Sequence, residues 1–91
     1  MYRVKENKDL KELKKFGFDY NGLYECYERT IDFGINRVTT RVFPNNVNYR
    51  ENQLVCESSV WMDILFPDER IARLNDDLIQ ADLVEKVEEG E

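Results

Sequence analysis

Leu10-Lys11-Glu12-Leu13-Lys14-Lys15-Phe16-Gly17-Phe18-Asp19-Tyr20-Asn21-Gly22-Leu23-Tyr24, residues 10–24, sets the architecture of this chain. Leu10, Leu13 and Phe16 form an apolar stripe at i, i+3 and i+6, with Lys8, Lys11, Glu12 and Lys15 on the other side. That pattern predicts a helix over 5–16, with Asn7 as its cap and Asp9 in the first turn, where the helix dipole favours a negative charge. Gly17 supplies the stop. Asn21-Gly22 then separates Phe18-Asp19-Tyr20 from a second apolar run, and both turn residues tolerate the positive φ that a two-residue hairpin requires. A helix followed by an antiparallel hairpin is the expectation, which is an architectural message, and nothing of equal strength in the sequence speaks about chemistry.

Working outward, Leu23 to Ile31 alternates as a long strand, with Tyr24, Cys26, Glu28 and Thr30 on one side and Leu23, Glu25, Tyr27, Arg29 and Ile31 on the other. Asp32 to Asn36 reads as a loop. Arg37 to Phe43 reads as the next strand, in which Val38, Thr40 and Val42 oppose a solvated row of Arg37, Thr39 and Arg41. Pro44-Asn45-Asn46 breaks the sheet, and the polar stretch to Gln53 is a loop. Leu54 to Glu57 resumes a strand, and Val60 to Phe66 reads in two ways: Val60, Met62, Ile64 and Phe66 alternate as a strand would, the favoured reading, while the run equally fits a buried helical turn. Pro67-Asp68-Glu69 opens a helix carrying the stripe Ile71, Leu74, Leu78 and Ile79, running to Gln80 or Asp82. Leu83, Val84 and Val87 either extend that helix or form a short closing strand.

The fold class expected from these elements is α+β. An N-terminal helix, a three- or four-stranded antiparallel sheet and a C-terminal helix would be arranged with both helices on one sheet face. Leu10, Leu13, Phe16, Leu74, Leu78 and Ile79 would be buried between helices and sheet. Residues 1–91 form one domain, with a frayed tail at 88–91.

Composition narrows the chemistry. Hydrophobic residues at 42% are enough for a packed core, while 35% charged residues make the surface heavily ionic. The charge is uneven: residues 1–50 hold ten Lys/Arg and seven Asp/Glu, whereas residues 51–91 hold three and twelve, for a net charge of −6. An acidic second half disfavours general nucleic-acid binding, whose affinity comes largely from phosphate neutralisation. It suits a surface that meets a basic partner. Histidine is absent, which removes the usual acid or base near neutral pH and every His-containing catalytic or zinc constellation. Cys26 and Cys56, thirty positions apart in apolar runs, read as buried reduced thiols. No glycine-rich phosphate loop and no calcium-loop pattern occurs, so no cofactor and no metal is expected. The apolar run at 58–66 is too short to span a bilayer, and the first residues carry no leader pattern, which gives a cytoplasmic expectation without membrane partners.

The residues left as interaction candidates are Trp61, the sole tryptophan, and the carboxylates Asp76, Asp77, Asp82 and Glu85. Leu-Lys-Lys-Phe-Gly-Phe at 13–18, the Tyr-rich hairpin and Leu78 to Val87 resemble small uncharacterised phage- and prophage-encoded proteins of Gram-positive bacteria. The resemblance implies an intracellular accessory protein that binds a host or phage protein, and it carries no catalytic residues. The leading expectation is therefore a non-enzymatic, acidic protein-interaction module. A second is an acidic inhibitor that occupies the nucleic-acid-binding groove of a host enzyme, its four carboxylates forming one stripe. A third is single-stranded nucleic-acid binding through Tyr24, Tyr27, Arg29, Arg37 and Arg41 on the sheet face.

Trp61 separates a folded domain from an interaction surface. Core packing is expected: its fluorescence should be blue-shifted and shielded from acrylamide, and Trp61→Ala should cost about 3–5 kcal/mol. Red-shifted, readily quenched emission would make it an exposed anchor instead.

Overall fold

A computed structural model describes residues 1–60 and 66–88. They fold as one face of helical turns on a six-stranded sheet in which every pairing is antiparallel, in the order β2-β3-β4-β5-β1-β6. The strands are β1 (Tyr2–Val4), β2 (Asp19–Asn21), β3 (Cys26–Asp32), β4 (Arg37–Phe43), β5 (Gln53–Ser58) and β6 (Val84–Lys86). A 3-10 helix, Leu10–Phe16, follows β1, and two short helices, α1 (Asp68–Leu74) and α2 (Asp76–Gln80), precede β6.

This corrects the expected three- or four-stranded sheet with one helix at each end. Two of the additional strands come from the ends of the described chain: β1 lies between β5 and β6, with Tyr2 opposite Lys86, Val4 opposite Val84 and Arg3 opposite Gln53. Val4 is thus a buried strand residue, and the helix expected over 5–16 begins only at Leu10. Three-residue strands hold too little alternation to be recognised from their own sequence.

The N-terminal helix is also of a different kind. Its apolar residues recur every third position, which is the period of a 3-10 helix, so Leu10, Leu13 and Phe16 line up on one side. An α-helix would have turned Phe16 away from Leu10 by a third of a turn. Asp9, not Asn7, is the cap: its side chain accepts a hydrogen bond from Lys11 N at 2.9 Å. Gly17 closes the helix at φ 89° and donates back to the carbonyl of Lys14.

The hairpin has four loop residues rather than two. Asn21 pairs with Cys26, and the positive φ falls on Glu25 at 53° instead of on Gly22. The Asn21 carboxamide turns the chain by accepting from Leu23 N at 3.0 Å. In consequence β3 begins at Cys26, three residues later than expected.

The β3-β4-β5 meander carries the strict alternation. Tyr27, Arg29 and Ile31 share a face with Val38, Thr40 and Val42 and with Leu54, Cys56 and Ser58, as the registers Tyr27↔Val42↔Leu54 and Arg29↔Thr40↔Cys56 require. The helical elements cover this face, and the core there joins Leu13, Phe18, Ile71, Leu78 and Leu83 to Val4, Val38, Val42 and Leu54. Leu10, Phe16, Leu74 and Ile79 pack against that core while remaining partly exposed. The opposite face is solvated and ionic: Arg41 bonds Glu28 at 3.0 Å and pairs with Glu57, and the Thr30 and Thr39 hydroxyls meet at 2.8 Å. Both cysteines are buried and free.

The single C-terminal helix is interrupted. Asn75 adopts φ −123° and ψ 30°, which ends α1 and redirects the chain into α2. Leu83 then leads into β6, the closing-strand alternative. Residues 61–65, which include Trp61 and most of the run expected as a strand, and 89–91 of the expected frayed tail lie outside the described residues.

Leu78, wholly buried, and Ile35, at 94% exposure, bracket the consequences for stability. Leu78→Ala should destabilise by about 2–5 kcal/mol in urea unfolding, whereas Ile35→Ala should stay within about 0.5 kcal/mol.

Candidate functional site

Antiparallel order brings the β3–β4 loop, residues 33–36, and the exit of β5 to the same end of the sheet, where α1 crosses it. The two chain segments are tied together tightly. Ser59 N donates to the Arg37 carbonyl at 2.8 Å, and Arg37 N donates to Ser59 Oγ at 2.9 Å. The Ser58 hydroxyl donates to Asn36 Oδ1 at 2.6 Å, and Val60 N donates to Ser58 Oγ at 3.1 Å. Within the loop Phe33 N donates to the Asn36 carbonyl, Gly34 N donates to Asp32 Oδ1, and Gly34 takes φ 86°, which a side chain would strain.

On this rigid base three apolar side chains face water: Phe33 at 55%, Ile35 at 94% and Val60 at 50% exposure. Beside them opens a cleft of about 540 Å³ lined by Phe33, Asn36, Val38, Ser58, Phe66, Arg70, Arg73 and Leu74. Arg70 lies over the Phe66 ring at 5.6 Å, and neither Arg70 nor Arg73 has a carboxylate partner among the described residues. A shallower depression adjoins across Arg73 and Leu74 and is bordered by Arg29, Asp76 and Asp77. The lining is cationic and apolar. Guanidinium groups stay protonated near neutral pH, so this arrangement is suited to holding an anion against a hydrophobic wall.

Behind the cleft lies a polar knot that fixes α1 and α2 on the sheet. The Arg29 guanidinium donates to the Phe16 carbonyl at 3.0 Å, to Asn75 Oδ1 at 2.8 Å and to both carboxylate oxygens of Asp77, one of them at 3.1 Å. It also sits 4.6 Å above the Phe18 ring. Buried Asn75 donates from Nδ2 to the Ile71 carbonyl at 3.0 Å and to Thr40 Oγ1 at 3.2 Å, and Thr40 Oγ1 is 3.2 Å from Cys56 Sγ. Burial pushes the Cys56 thiol up, away from thiolate chemistry.

The expected acidic stripe is divided among internal partners. Asp77 is held by Arg29, Asp82 by Lys5 and Glu85 by Arg3 at 3.0 Å, while Asp76 has no basic partner among the described residues. The aromatic and basic set expected on one sheet face is likewise split. Tyr27 and Arg29 lie under the helices, Arg37 and Arg41 lie on the open face, and Tyr24 stands beneath Arg41. Trp61 lies outside the described residues.

Sequence reading missed Phe33, Ile35, Phe66, Arg70 and Arg73. Two signals pointed to them. Arg70 and Arg73 are two of only three basic residues after position 50, and Phe33 and Ile35 flank a loop glycine where no strand or helix period explains them.

Among the described residues no group of three or more His, Cys, Asp or Glu side chains is placed to hold a metal ion, and no helix is long and apolar enough to cross a membrane. Comparison with family models, with curated proteins and with solved structures gives no match.

Asp77 offers a pH test of the knot. The hydrogen bond from Arg29 holds its carboxyl below the ordinary carboxylate range, so the folded state binds that proton less readily than the unfolded chain does. Its contribution is complete above about pH 4 and is lost as the pH falls through the depressed folded value. Asp77→Asn should therefore cost about 0.5–1 kcal/mol at pH 6, a figure already discounted for solvent screening. Urea melts at pH 6 and pH 2.5 should show the difference from wild type shrinking towards the lower pH.

Proposed function

We propose that this chain is a non-enzymatic protein-interaction module, and that it engages its partner through the end of the sheet formed by the 33–36 loop, Val60 and α1. The observation that carries the reading is Phe33, Ile35 and Val60 exposed together on a hydrogen-bonded base. A loop that is free to collapse would bury such side chains against its neighbours. Here the loop and the exit of β5 are held by six inter-residue hydrogen bonds, so the apolar groups stay presented, and association is the route by which they leave water. Presentation on a fixed backbone also lowers the ordering cost of binding.

The resemblance to phage-encoded accessory proteins fits this reading, because such a protein acts by occupying a surface of another. The inhibitor alternative, in which carboxylates imitate a phosphate track, draws less support. Asp77, Asp82 and Glu85 are each engaged by a cation of the same chain, which weakens the field they project.

The test compares covalent capture by wild type and by Phe33→Ala/Ile35→Asp in the producing cell. The double variant should keep the wild-type melting temperature and lose the proteins that wild type captures. Equal capture by both would remove this end of the sheet as the interaction surface.

A further inference from the structure

The cleft beside the exposed loop has a charge that contrasts with the molecule around it. The chain carries −6 overall, and four of its seven arginines are matched to carboxylates: Arg3 to Glu6 and Glu85, Arg29 to Asp77, Arg37 to Asp32, and Arg41 to Glu28 and Glu57. Arg50, Arg70 and Arg73 are the remainder, and two of these three line the one cleft. Both stand on the same side of α1, three residues apart, and Arg70 is steadied by the Phe66 ring.

Their neighbours are mainly apolar. Phe33, Val38, Phe66 and Leu74 wall the cleft together with polar Asn36 and Ser58, and Ile35 and Val60, within two positions of that lining in sequence, are exposed. We infer that this cleft binds an acidic peptide segment of a partner protein, with carboxylates placed on Arg70 and Arg73 beside an apolar side chain inserted against Phe33 and Leu74. This inference rests on the interaction reading above and adds the chemistry of the partner.

Charge complementarity selects the ligand. An arginine with free donors in a partly enclosed apolar site gains more from a carboxylate than an arginine already paired, because its donors are not in competition. A peptide fits better than a small organic acid because Ile35 and Val60, exposed and next to the lining segments in sequence, offer further apolar surface to a longer ligand. A ligand confined to about 540 Å³ would leave those residues wet. The molecule's net negative charge does not oppose this at physiological salt, where fields are screened beyond about 8 Å and the two local arginines dominate.

The experiment is selection from a displayed library of random linear peptides against the full chain, with Arg70→Glu/Arg73→Glu as the counter-target. Both arginines are exposed, so the variant should melt with wild type, and that melt is recorded first. Selected peptides should be enriched in Asp or Glu next to Leu, Phe or Trp. They should bind the variant at least about tenfold more weakly, and in NMR titrations they should shift amides of residues 33–36, 58–60 and 66–74. Three results would overturn the inference: no acidic enrichment, equal binding by the charge-reversed variant, or phenylacetate shifting the same amides when no peptide does. A negative selection together with loss of cellular capture by Phe33→Ala/Ile35→Asp would retain the interaction surface and discard only the acidic-peptide chemistry.

Discussion

The guanidinium of Arg29 is the point at which the separately formed pieces of this molecule become one structure. It sits on β3 among side chains that are otherwise apolar or uncharged, and from there it reaches the end of the 3-10 helix, the break between α1 and α2, and the ring of Phe18. A planar fork with five donors can satisfy acceptors in several directions at once, which lysine cannot do. Its Nε is buried without a partner among the described residues, a local cost that the other contacts offset. Asn75 is its counterpart. With its carboxamide committed to Arg29, Ile71 and Thr40, the backbone at Asn75 leaves α-helical geometry, so the helix ends where the polar contacts demand it and not where the apolar stripe does.

This explains what could and could not be read in advance. β4 was legible from Arg37 to Phe43 because Val38, Thr40 and Val42 alternate with charged or hydroxylic residues against a half-solvated sheet, and alternation is a local property. Gly17 was legible as a stop because a left-handed residue after a helix has few alternatives. The break at Asn75 was not, since the apolar spacing Ile71, Leu74, Leu78 and Ile79 is continuous and the cause of the interruption lies on β3 and β4. β1 was hidden for the same reason, being defined by partners far away in sequence, and β6 was visible only as the closing-strand alternative at Leu83, Val84 and Val87. The 3-10 helix is different in kind. Its three-residue period is visible in the sequence, but over seven residues it is hard to tell from the commoner period of 3.6. As for the candidate site, the acidic cluster stood out because charge is conspicuous in sequence, yet most of that charge is spent internally.

The uneven charge of the two halves has the same resolution. Arg3–Glu85, Lys5–Asp82, Arg29–Asp77 and Arg41–Glu57 each join a cation from the first half to an anion from the second. The asymmetry along the sequence therefore becomes a register device in the folded chain: Arg3 of β1 lies opposite Glu85 of β6, and a slip of one residue would set it opposite Lys86 instead. Individually such exposed pairs contribute little, but their placement discriminates between alternatives. What remains outside this internal matching, Arg70 and Arg73 above all, is correspondingly informative about the exterior.

Placing β1 between β5 and β6 has a kinetic consequence. The meander β3-β4-β5 is built from neighbours in sequence and can zip early, whereas Val4 must find Val84 across nearly the whole described chain. Loop-closure entropy orders these events, so the edge of the sheet carrying β1 and β6 is the last to assemble and the first to open. The molecule is thus divided into an early-forming half, which presents the exposed loop, and a late-forming half, whose amides would exchange with solvent sooner. Opening of the β1–β6 edge would therefore leave the loop end, the surface proposed for partner binding, largely undisturbed.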